Sequence, residues 1–409
     1  MSLPPRRILL ADADAFFVAV ARLVDPEGAG REPLLIVGGT RESRGVVCSA
    51  SYETRKYGVR SAMPISRALR LCPTAVCVPV PRKACSQKHR EIRSVLERHA
   101  PAVEGASIDE WYLDLGGTEA LYHNEPLQET AVRIRRDVVR ETGLSVSFGG
   151  GASKLIAKLA VEHAKHGTDG RGTGVHVVPS GAEMEFMRGI KLAEIPLIGP
   201  RFQERLARLG MRAVPDVLQY DPATLTQWLS EREAAWLWDR VHGIDSAHVE
   251  PHLDAKSLSR DETFGMDIDD DAELQRELLA LLTRAAADLR ADGLAARTIR
   301  VKIRDWDFKT RQASRTLDHP VIADRVLLSV ARGLLQRLRS ARRVPARLVG
   351  VALSSLATDA TADQLNLFEA RDSRLVETDR DRRVVRAVDS VRARFGDKGI
   401  LPGGLVGRG

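Results

Sequence analysis

The sequence predicts an α+β fold, and three stretches of its hydrophobic pattern support this prediction. Residues 7 to 165 alternate short apolar runs with amphipathic segments, residues 172 to 245 are mostly helical, and residues 257 to 355 follow the order β-α-β-β-α-β. Segments in this order form sheets with helices packed against them. The 409 residues are enough for several domains, because single hydrophobic cores stop growing near roughly 250 to 300 residues.

The first region, residues 7 to 165, is expected to contain the main sheet. Its pattern predicts strands at 7 to 11, 34 to 37, 45 to 48, 102 to 106, 110 to 115 and 144 to 148, and helices at 14 to 24, 65 to 71, 83 to 99, 126 to 141 and 153 to 165. If the small basic insert around SYETRKYGVRSAM is set aside, the remaining strands could form one antiparallel sheet backed by helices.

The middle region centres on the sequence IPLIGPRFQERLARLGMRAVPDVL. Gly199 and Pro200 open a helix whose free backbone N–H groups could hold a phosphate, and Gly210 closes this helix. A plain helical hairpin without a ligand explains the same pattern equally well. The polar stretch from Ser246 to Ala255 is expected to be a linker.

The third region is expected to form a small sheet with two helices on one side. Its pattern predicts strands at 257 to 264, 297 to 304, 310 to 317 and 347 to 355, a helix at 322 to 339, and a helix with the apolar face Leu274, Leu278, Leu282, Ala285 and Leu289. Along the second strand, Arg300, Lys302 and Arg304 alternate with isoleucine and valine, so the three cations share one face. Such a face suits the phosphates of DNA.

Two acidic clusters lie in strand-like settings: Asp12 with Asp14, and Asp109 with Glu110. One acidic strand end alone would indicate a helix cap or a surface turn. Two clusters on neighbouring strands indicate instead an all-oxygen site of the kind that Mg²⁺ prefers, since buried carboxylates need a compensating cation. The implied chemistry is phosphoryl transfer assisted by two Mg²⁺ ions.

Composition agrees with a polyanionic partner. The formal net charge is +7, with twelve Lys or Arg against three acids from Arg41 to Arg93 and seven against two from Arg297 to Arg315. Such clusters suit a nucleic-acid backbone, although a solvated charged face is the ordinary alternative. The four cysteines lack zinc-site spacing, which indicates a reducing cytoplasm and no disulfide framework. No signal peptide or membrane-spanning run is predicted.

Four motifs resemble those of the Y-family translesion DNA polymerases of the DinB class: ADADAFF, SYETRKYGVRSAMP, SIDEWYLDL and QLNLF, in this order. The resemblance covers roughly residues 5 to 368. It implies a right-hand polymerase with a ferredoxin-like palm, small fingers, a helical thumb and a βαββαβ little finger that binds DNA. The implied bounds are 1 to 15 and 79 to 171 for the palm, 16 to 78 for the fingers, 172 to 245 for the thumb and 256 to 356 for the little finger.

By this resemblance, Asp12, Asp109 and Glu110 are the catalytic carboxylates that bind two Mg²⁺ ions, and Asp14 is a helix cap. The implied nucleotide-binding residues are Ala13, Phe16, Phe17, Tyr52, Arg55 and Lys165. Phe17 matches the steric gate against a ribose hydroxyl, with core packing as the alternative, while Phe16 is available to fill the core. Tyr52, Arg55 and Lys165 match the residues that grip the triphosphate. The implied DNA-binding cations are Arg260, Arg300, Lys302 and Arg304.

The tail from residue 357 contains QLNLF, whose Gln364, Leu365, Leu367 and Phe368 match the peptide that docks on the bacterial sliding clamp. A possible surface helix follows at Asp379 to Phe395. The chain departs from the family pattern at Trp111, at Leu197 and after Lys165, where HGTDG stands in place of a proline turn.

The sequence therefore predicts a low-fidelity DNA polymerase that extends primers past damaged bases, working with primer-template DNA, deoxynucleoside triphosphates and the clamp, as a cytoplasmic monomer without a membrane partner. Two alternatives remain. One is a non-catalytic adaptor that tethers DNA to the clamp, but such relatives lose acidic ligands that are all present here. The other is a nucleotidyl cyclase, which would need neither a little finger nor a clamp peptide.

Overall fold

The structure is a computed structural model that describes residues 6–40, 44–165, 173–252, 254–358, 375–396 and 399–405. The chain divides into two compact units, Met1–Leu253 and Asp254–Gly409. In the described residues, no helix is both long and apolar enough to cross a membrane.

The first unit contains eight labelled strands and eleven labelled α-helices in its described residues. In chain order they are β1 Ile8–Ala13, α1 Phe16–Val24, β2 Leu35–Gly38, β3 Val47–Ala50, α2 Tyr52–Arg55, α3 Ile65–Leu71, β4 Val76–Val78, α4 Arg82–Glu97, β5 Ala102–Gly105, β6 Glu110–Asp114, α5 Leu127–Thr142, β7 Val146–Gly151, α6 Lys154–Ala164, β8 Val175–Val177, α7 Glu183–Arg188, α8 Pro200–Arg208, α9 Val214–Val217, α10 Pro222–Leu225 and α11 Glu231–Val241.

The main sheet has the strand order β5-β6-β1-β7-β8. Strands β1 and β6 are neighbours, as expected, and they pair antiparallel with Asp12 opposite Glu110. The expectation of a wholly antiparallel sheet is wrong at one edge, where β8 pairs parallel with β7. Strand β8 was not predicted, because three residues are too short to show a periodic pattern.

Helices cover both faces of this sheet. Helices α4 and α5 share a core with the sheet's inward side chains, including Trp111, Leu113 and Phe148, while Ala157 and Val161 of α6 pack with Ile8 and Leu10. Helix α6 lies very close to β7, because a Cβ atom at Gly149 would fall 2.2 Å from backbone atoms of Ala157 and Val161. The glycine run of β7 therefore fixes α6 directly above the strands that carry the acids.

A second, three-stranded sheet has the order β3-β2-β4. Strand β3 pairs antiparallel with β2, whereas β4 pairs parallel with it. Helix α3 covers this sheet through Ile65 and Ala68, and α2 begins directly after β3 at the capping residue Ser51. This small sheet brings the residues of the SYETR motif to the start of a helix.

The helices α7 to α11 form a separate core that extends into Leu155, Ile156 and Leu159 of α6. Helix α8 begins with Pro200 after Gly199, and Gly210 follows it with a positive φ of 80°, as the sequence predicts. Leu197 also has a positive φ, 72°, and its side chain is 83% exposed. The leucine therefore adopts the left-handed conformation that a glycine would adopt without strain.

The second unit confirms the predicted β-α-β-β-α-β order. Its elements are β9 Ser257–Ile268, α12 Asp271–Ala291, β10 Leu294–Asp305, β11 Thr310–Val321, α13 Asp324–Ala341 and β12 Ala346–Thr358. The strands form an antiparallel sheet in the order β11-β10-β12-β9. The predicted apolar face of α12 is buried with Ile299, Val301 and Ile303 in one core, so Arg300, Lys302 and Arg304 lie on the other face of β10.

The predicted tail helix is present as α14, Asp379–Phe395, and it packs on the second unit. Val385 is buried with Ala295 and Ile322. The carboxylate of Glu377 accepts hydrogen bonds from the backbone N–H groups of Ile322 and Ala323, just before α13. The C-terminal segment is therefore part of the fold of this unit.

Candidate active site

The acidic side chains Asp12 and Glu110 face each other across β1 and β6. The two residues occupy opposite positions in the antiparallel register. Asp109 directly precedes β6, and its carbonyl oxygen accepts a hydrogen bond of 2.9 Å from the N–H of Ala13. The backbone of the sheet thus brings together all the residues of the predicted metal site.

Two lysines lie against these acids: Lys158 in helix α6 and Lys165 directly after this helix. Lys165 Nζ is 2.9 Å from Asp12 Oδ2 and 2.7 Å from Glu162 Oε1. Lys158 Nζ forms an ion pair with Glu110. Sequence reasoning identified Lys165 but missed Lys158. The spacing could have found it, because residues seven apart lie two turns along the same helix face.

Burial and ion pairing act in opposite directions on the pKa values of these acids and lysines. Asp12 is 7% exposed, and burial raises its pKa to about 7 although Lys165 acts in the opposite direction. Burial also favours the neutral forms of Glu110 and Lys165. The hydrogen bond and charge of Lys158 nevertheless lower the Glu110 pKa, and the charges of Asp12 and Glu162 raise the Lys165 pKa. The acids therefore attract positive charge strongly, and in this structure the ammonium groups of the two lysines supply it.

Asp109 differs from the other two acids, because its carboxylate turns toward the loop. Ser107 Oγ lies 2.5 Å from Asp109 Oδ1 and accepts from the Asp109 N–H at 3.2 Å. Within the described residues, no three His, Cys, Asp or Glu side chains are arranged to bind one metal ion. The structure thus places Asp12 opposite Glu110, whereas the Asp109 carboxylate accepts a hydrogen bond from the Ser107 hydroxyl.

Tyr52 and Arg55 lie at the start of α2, close to the acids and lysines. The Arg55 guanidinium is 5.1 Å from the centre of the Tyr52 ring, and its Nε donates to the Ala50 carbonyl at 3.0 Å. Burial, followed by the nearby negative charge of Asp14, raises the pKa of Tyr52, while the charges of Arg55 and Lys165 lower it. Tyr52 also lines one cavity together with Asp14, Ser51 and Ser145.

The two phenylalanines at the start of α1 have different surroundings. Phe16 is 2% exposed and belongs to the core of the main sheet, so its side chain does not reach the site. The nucleotide-binding role predicted for Phe16 stays a prediction, to which its buried side chain adds no support. Phe17 is half-buried and lies against Phe16 with ring centres 5.6 Å apart. The structure therefore leaves Phe17 available at the surface while Phe16 fills the core.

Asp14 is not the cap of helix α1. The residue before this helix is Ala15, with a positive φ of 45° and no side-chain capping bond. The Asp14 carboxylate instead accepts hydrogen bonds from Ser145 Oγ at 2.6 Å and Ser147 Oγ at 2.8 Å. The prediction of a cap is wrong, because two hydroxyls at the start of β7 offer stronger partners than the helix amides.

The departure at Trp111 does not crowd the acids. Side chains alternate along β6, so the indole points away from Glu110 into the core, where it is fully buried. It lies opposite Gly105 on the neighbouring strand and stacks on His89 with ring centres 5.0 Å apart. The small residue at position 105 provides the room that the large ring needs.

The predicted DNA-binding cations lie on the sheet of the second unit. Arg300 is exposed, Arg304 Nε donates to Thr310 Oγ1 at 2.9 Å, and Lys302 pairs with Asp261. Arg260 pairs with Asp288 of α12. Two of the four cations are thus already paired with an acid. The predicted clamp motif, with Gln364, Leu365, Leu367 and Phe368, lies outside the described residues.

Two family models match this chain. Residues 11–162 match the impB/mucB/samB family, and residues 255–367 match the C-terminal domain of the same family. The chain is similar to the DNA polymerase IV of Desulfatibacillum aliphaticivorans, with 33% identity over 399 residues, which cover 98% of this chain and 96% of that protein.

Solved structures agree with these sequence matches. A chimera of the Y-family DNA polymerases Dbh and Dpo4 shares the fold, with a TM-score of 0.75, 24% identity, and coverage of 86% of this chain and 99% of the chimera. An insertion ternary complex of Dbh DNA polymerase has a TM-score of 0.60 and 25% identity, and the match covers 85% of this chain and 98% of that chain.

Proposed function

The chain belongs to the impB/mucB/samB family and, within it, to the DNA polymerase IV group, and we propose that it is a translesion DNA polymerase that adds deoxynucleotides to a primer by metal-assisted phosphoryl transfer. The observation that carries this proposal is the charged group of β1, β6 and α6, where buried Asp12 contacts Lys165 and half-buried Glu110 contacts Lys158. A site that holds both signs of charge can bind cations and a triphosphate together.

The donor set fits two Mg²⁺ ions. Asp12, Asp109 and Glu110 offer carboxylate oxygens, and the Ala13 carbonyl offers a neutral oxygen, all of which are hard ligands. Metal ions held by these oxygens would supply activation of the primer hydroxyl and neutralisation of the charge on the triphosphate and its leaving group. Binding requires the Asp109 carboxylate to turn from Ser107 toward Asp12, a rotation of one side chain.

The two lysines have a second role in this proposal. In the structure their ammonium groups compensate buried acids, and cations bound by those acids would remove this need. Lys165 and Lys158 are then available to donate hydrogen bonds to phosphate oxygens. Tyr52 and Arg55 complete the grip on the β- and γ-phosphates, since the planar guanidinium donates two parallel hydrogen bonds.

Phe17 is proposed as the steric gate. It follows the buried Phe16 on α1 and is half-buried, so part of its ring can contact the incoming sugar. A ring in contact with C2′ leaves no room for a ribose hydroxyl. Phe16 supports this role from behind, through the edge contact between the rings.

In this proposal the main sheet is the palm, the three-stranded sheet with α2 and α3 is the fingers, and α7 to α11 form the thumb. The second unit is the little finger, whose exposed Arg300 and neighbouring cations track the phosphates of primer-template DNA. The four cysteines of the chain all lie in the described residues and form no disulfide bond there, which supports the proposed reducing cytoplasm.

Primer extension separates this function from the two alternatives. The purified chain is incubated with a recessed primer-template, deoxynucleoside triphosphates and Mg²⁺, and parallel reactions omit the template or use an abasic template. We expect template-directed extension that continues past the lesion. A DNA-tethering adaptor would give no product, and a cyclase would make a cyclic nucleotide without any template.

We further propose that QLNLF recruits the chain to the sliding clamp. Leu367 and Phe368 would fill apolar pockets, each contributing about 1 to 2 kcal/mol by buried area. Replacing both residues by alanine should therefore weaken clamp binding by about a hundredfold in a titration. Extension on short primed DNA without the clamp should not change, which makes it the control. Unchanged clamp affinity of the double variant would exclude this motif as the docking peptide.

A further inference from the structure

The turn between β10 and β11 exposes two aromatic rings close together in the chain. Trp306 is 55% exposed and Phe308 is 64% exposed. We call residues 306 to 309, with the sequence WDFK, the aromatic tip. Its exposed rings are unusual on a folded surface, since large aromatic side chains normally gain stability by burial.

Ion pairs hold the aromatic tip in a fixed position. Asp305 is fully buried, and its carboxylate accepts hydrogen bonds from Arg311 Nη2 at 2.8 Å and Nε at 3.1 Å. Arg342 links Asp305 to Asp307, with a contact of 3.0 Å to Asp307 Oδ2. Because both acids of the turn are held by arginines of β11 and α13, the exposed rings are not a consequence of a loose loop.

The backbone of the tip is also held in place. The N–H of Trp306 donates to the Pro345 carbonyl at 3.0 Å, and that of Phe308 donates to the Asp305 carbonyl at 2.9 Å. Phe308 has a positive φ of 65°, a conformation disfavoured for any residue with a Cβ atom. A glycine would relieve this strain, so the position keeps an exposed aromatic ring at a cost to the backbone.

Cations lie beside the Phe308 ring and along the turn. The guanidinium of Arg347 lies 4.6 Å from the centre of the Phe308 ring. The side chain of Lys309 is 71% exposed, and its Nζ is 3.6 Å from Asp307 Oδ2. Arg304 lies just before the turn, on the face of β10 that carries Arg300 and Lys302. Since Asp305 and Asp307 are occupied by arginines below the tip, the outer surface combines apolar rings with positive charge.

This combination selects one class of partner. An apolar protein surface would leave the cations desolvated and unpaired, and the edge of a closed duplex offers phosphates but no base faces to stack on. Unpaired bases of a single strand offer both flat faces for the rings and phosphates for the cations. We propose that the aromatic tip is a stacking site for single-stranded nucleic acid, with Trp306 and Phe308 contacting bases and Lys309 and Arg347 contacting phosphates.

This proposal rests on the proposed function only because it takes DNA as the ligand. The test therefore measures DNA binding alone, in the absence of nucleotides and Mg²⁺. The full-length chain is titrated against a fluorescein-labelled single-stranded oligothymidylate and against a blunt duplex of equal length. In the Trp306→Ala and Phe308→Ala double variant, we expect the single-strand Kd to rise at least about tenfold, as expected from the loss of base stacking. The duplex Kd should stay within about twofold, because the phosphate-binding cations are retained.

Two controls make the result specific. Trp306→Phe keeps a ring and should retain most single-strand affinity. Met266→Ala removes another exposed apolar side chain of the second unit, 83% exposed on β9, and should have no effect. Direct contact is visible in the parent as quenching of tryptophan emission by the oligonucleotide, and Trp306→Phe should abolish this change because the other tryptophans all precede residue 239.

Primer extension by the parent is measured in parallel, so a failure of the polymerase function is recognised separately. The proposal is overturned if the double variant binds the single strand as tightly as the parent does. It is equally overturned if single-strand and duplex affinities fall together, since the rings would then act only through general DNA binding.

Discussion

The main sheet of the first unit and the sheet of the second unit both carry charged side chains, but in opposite environments. Asp12 is 7% exposed, and α6 covers it with Lys158 and Lys165. On the second sheet the cations of β10 are not enclosed in this way: Arg300 is exposed and Lys302 pairs with Asp261 at the surface.

The difference matches the role that we propose for each surface. Phosphoryl transfer needs charges in a site that excludes water, where electrostatic interactions are strong. DNA binding needs cations that water can reach, because phosphate contacts form and exchange along the duplex. Changes at the first surface should therefore have large and specific effects, and changes at the second should have small and additive ones.

The largest effect is expected from the acids of the first surface. Glu110→Gln or Asp109→Asn should slow nucleotide addition at least about a thousandfold, roughly 4 kcal/mol, by removing a metal ligand. DNA affinity should barely change. Single-turnover primer extension measures the rate, and fluorescence anisotropy with labelled DNA provides the control. A variant with a near-parental rate would show that these carboxylates are not the metal ligands.

The contrast between the two surfaces can also be tested by stability, by breaking one buried ion pair and one exposed ion pair. Glu104 is 7% exposed and accepts from Lys154 Nζ at 2.7 Å and from the Glu250 N–H at 2.8 Å. Glu104→Gln should lower the free energy of unfolding by about 3 kcal/mol, since it leaves the partly buried ammonium group of Lys154 without its carboxylate partner. Asp261→Asn, which breaks the surface pair with Lys302, should cost less than about 1 kcal/mol. Urea unfolding measures both, and equal losses would contradict the contrast.

The substitution Phe17→Ala tests whether the Phe17 ring restricts the space around the incoming sugar, and it changes no charge. The variant should raise ribonucleotide use relative to deoxyribonucleotide use by about tenfold or more, because relief of a steric overlap is worth about 1 to 3 kcal/mol. Competitive single-nucleotide insertion measures this ratio. Deoxyribonucleotide insertion should persist, and a loss of folding with an unchanged sugar preference would instead assign Phe17 to core packing.

The smallest effects are expected on the open sheet. Arg300→Gln and Arg304→Gln should each weaken duplex binding only severalfold and reduce the slope of log affinity against log salt by about one. The effects of the two substitutions should add in the double variant. Titrations at several salt concentrations provide the test. A loss in one variant as large as that expected for the catalytic acids would show that this face does more than bind phosphates.

Hydrophobic periodicity predicted nearly all the longer elements, including α14, because their apolar faces bury against a core. Strands β4 and β8 escaped prediction, since three residues cannot show a period and their pairing with β2 and β7 depends on distant sequence. The acids of the site were predictable because carboxylates are rare in apolar strands. The partners of Asp14 were not, because Ser145 and Ser147 come close only once β7 pairs with β1.

The attachment of α14 has a consequence for the segment that carries QLNLF. Residues 359–374 connect β12, at one end, to a segment held by Glu377 and by the ion pair of Asp389 with Arg290, at the other. Both ends of this stretch are therefore anchored to the same folded unit, unlike a peptide at a free chain terminus. Under the clamp-binding proposal, the clamp would be attached to the polymerase through two points of the chain, which would restrict its orientation as well as its distance.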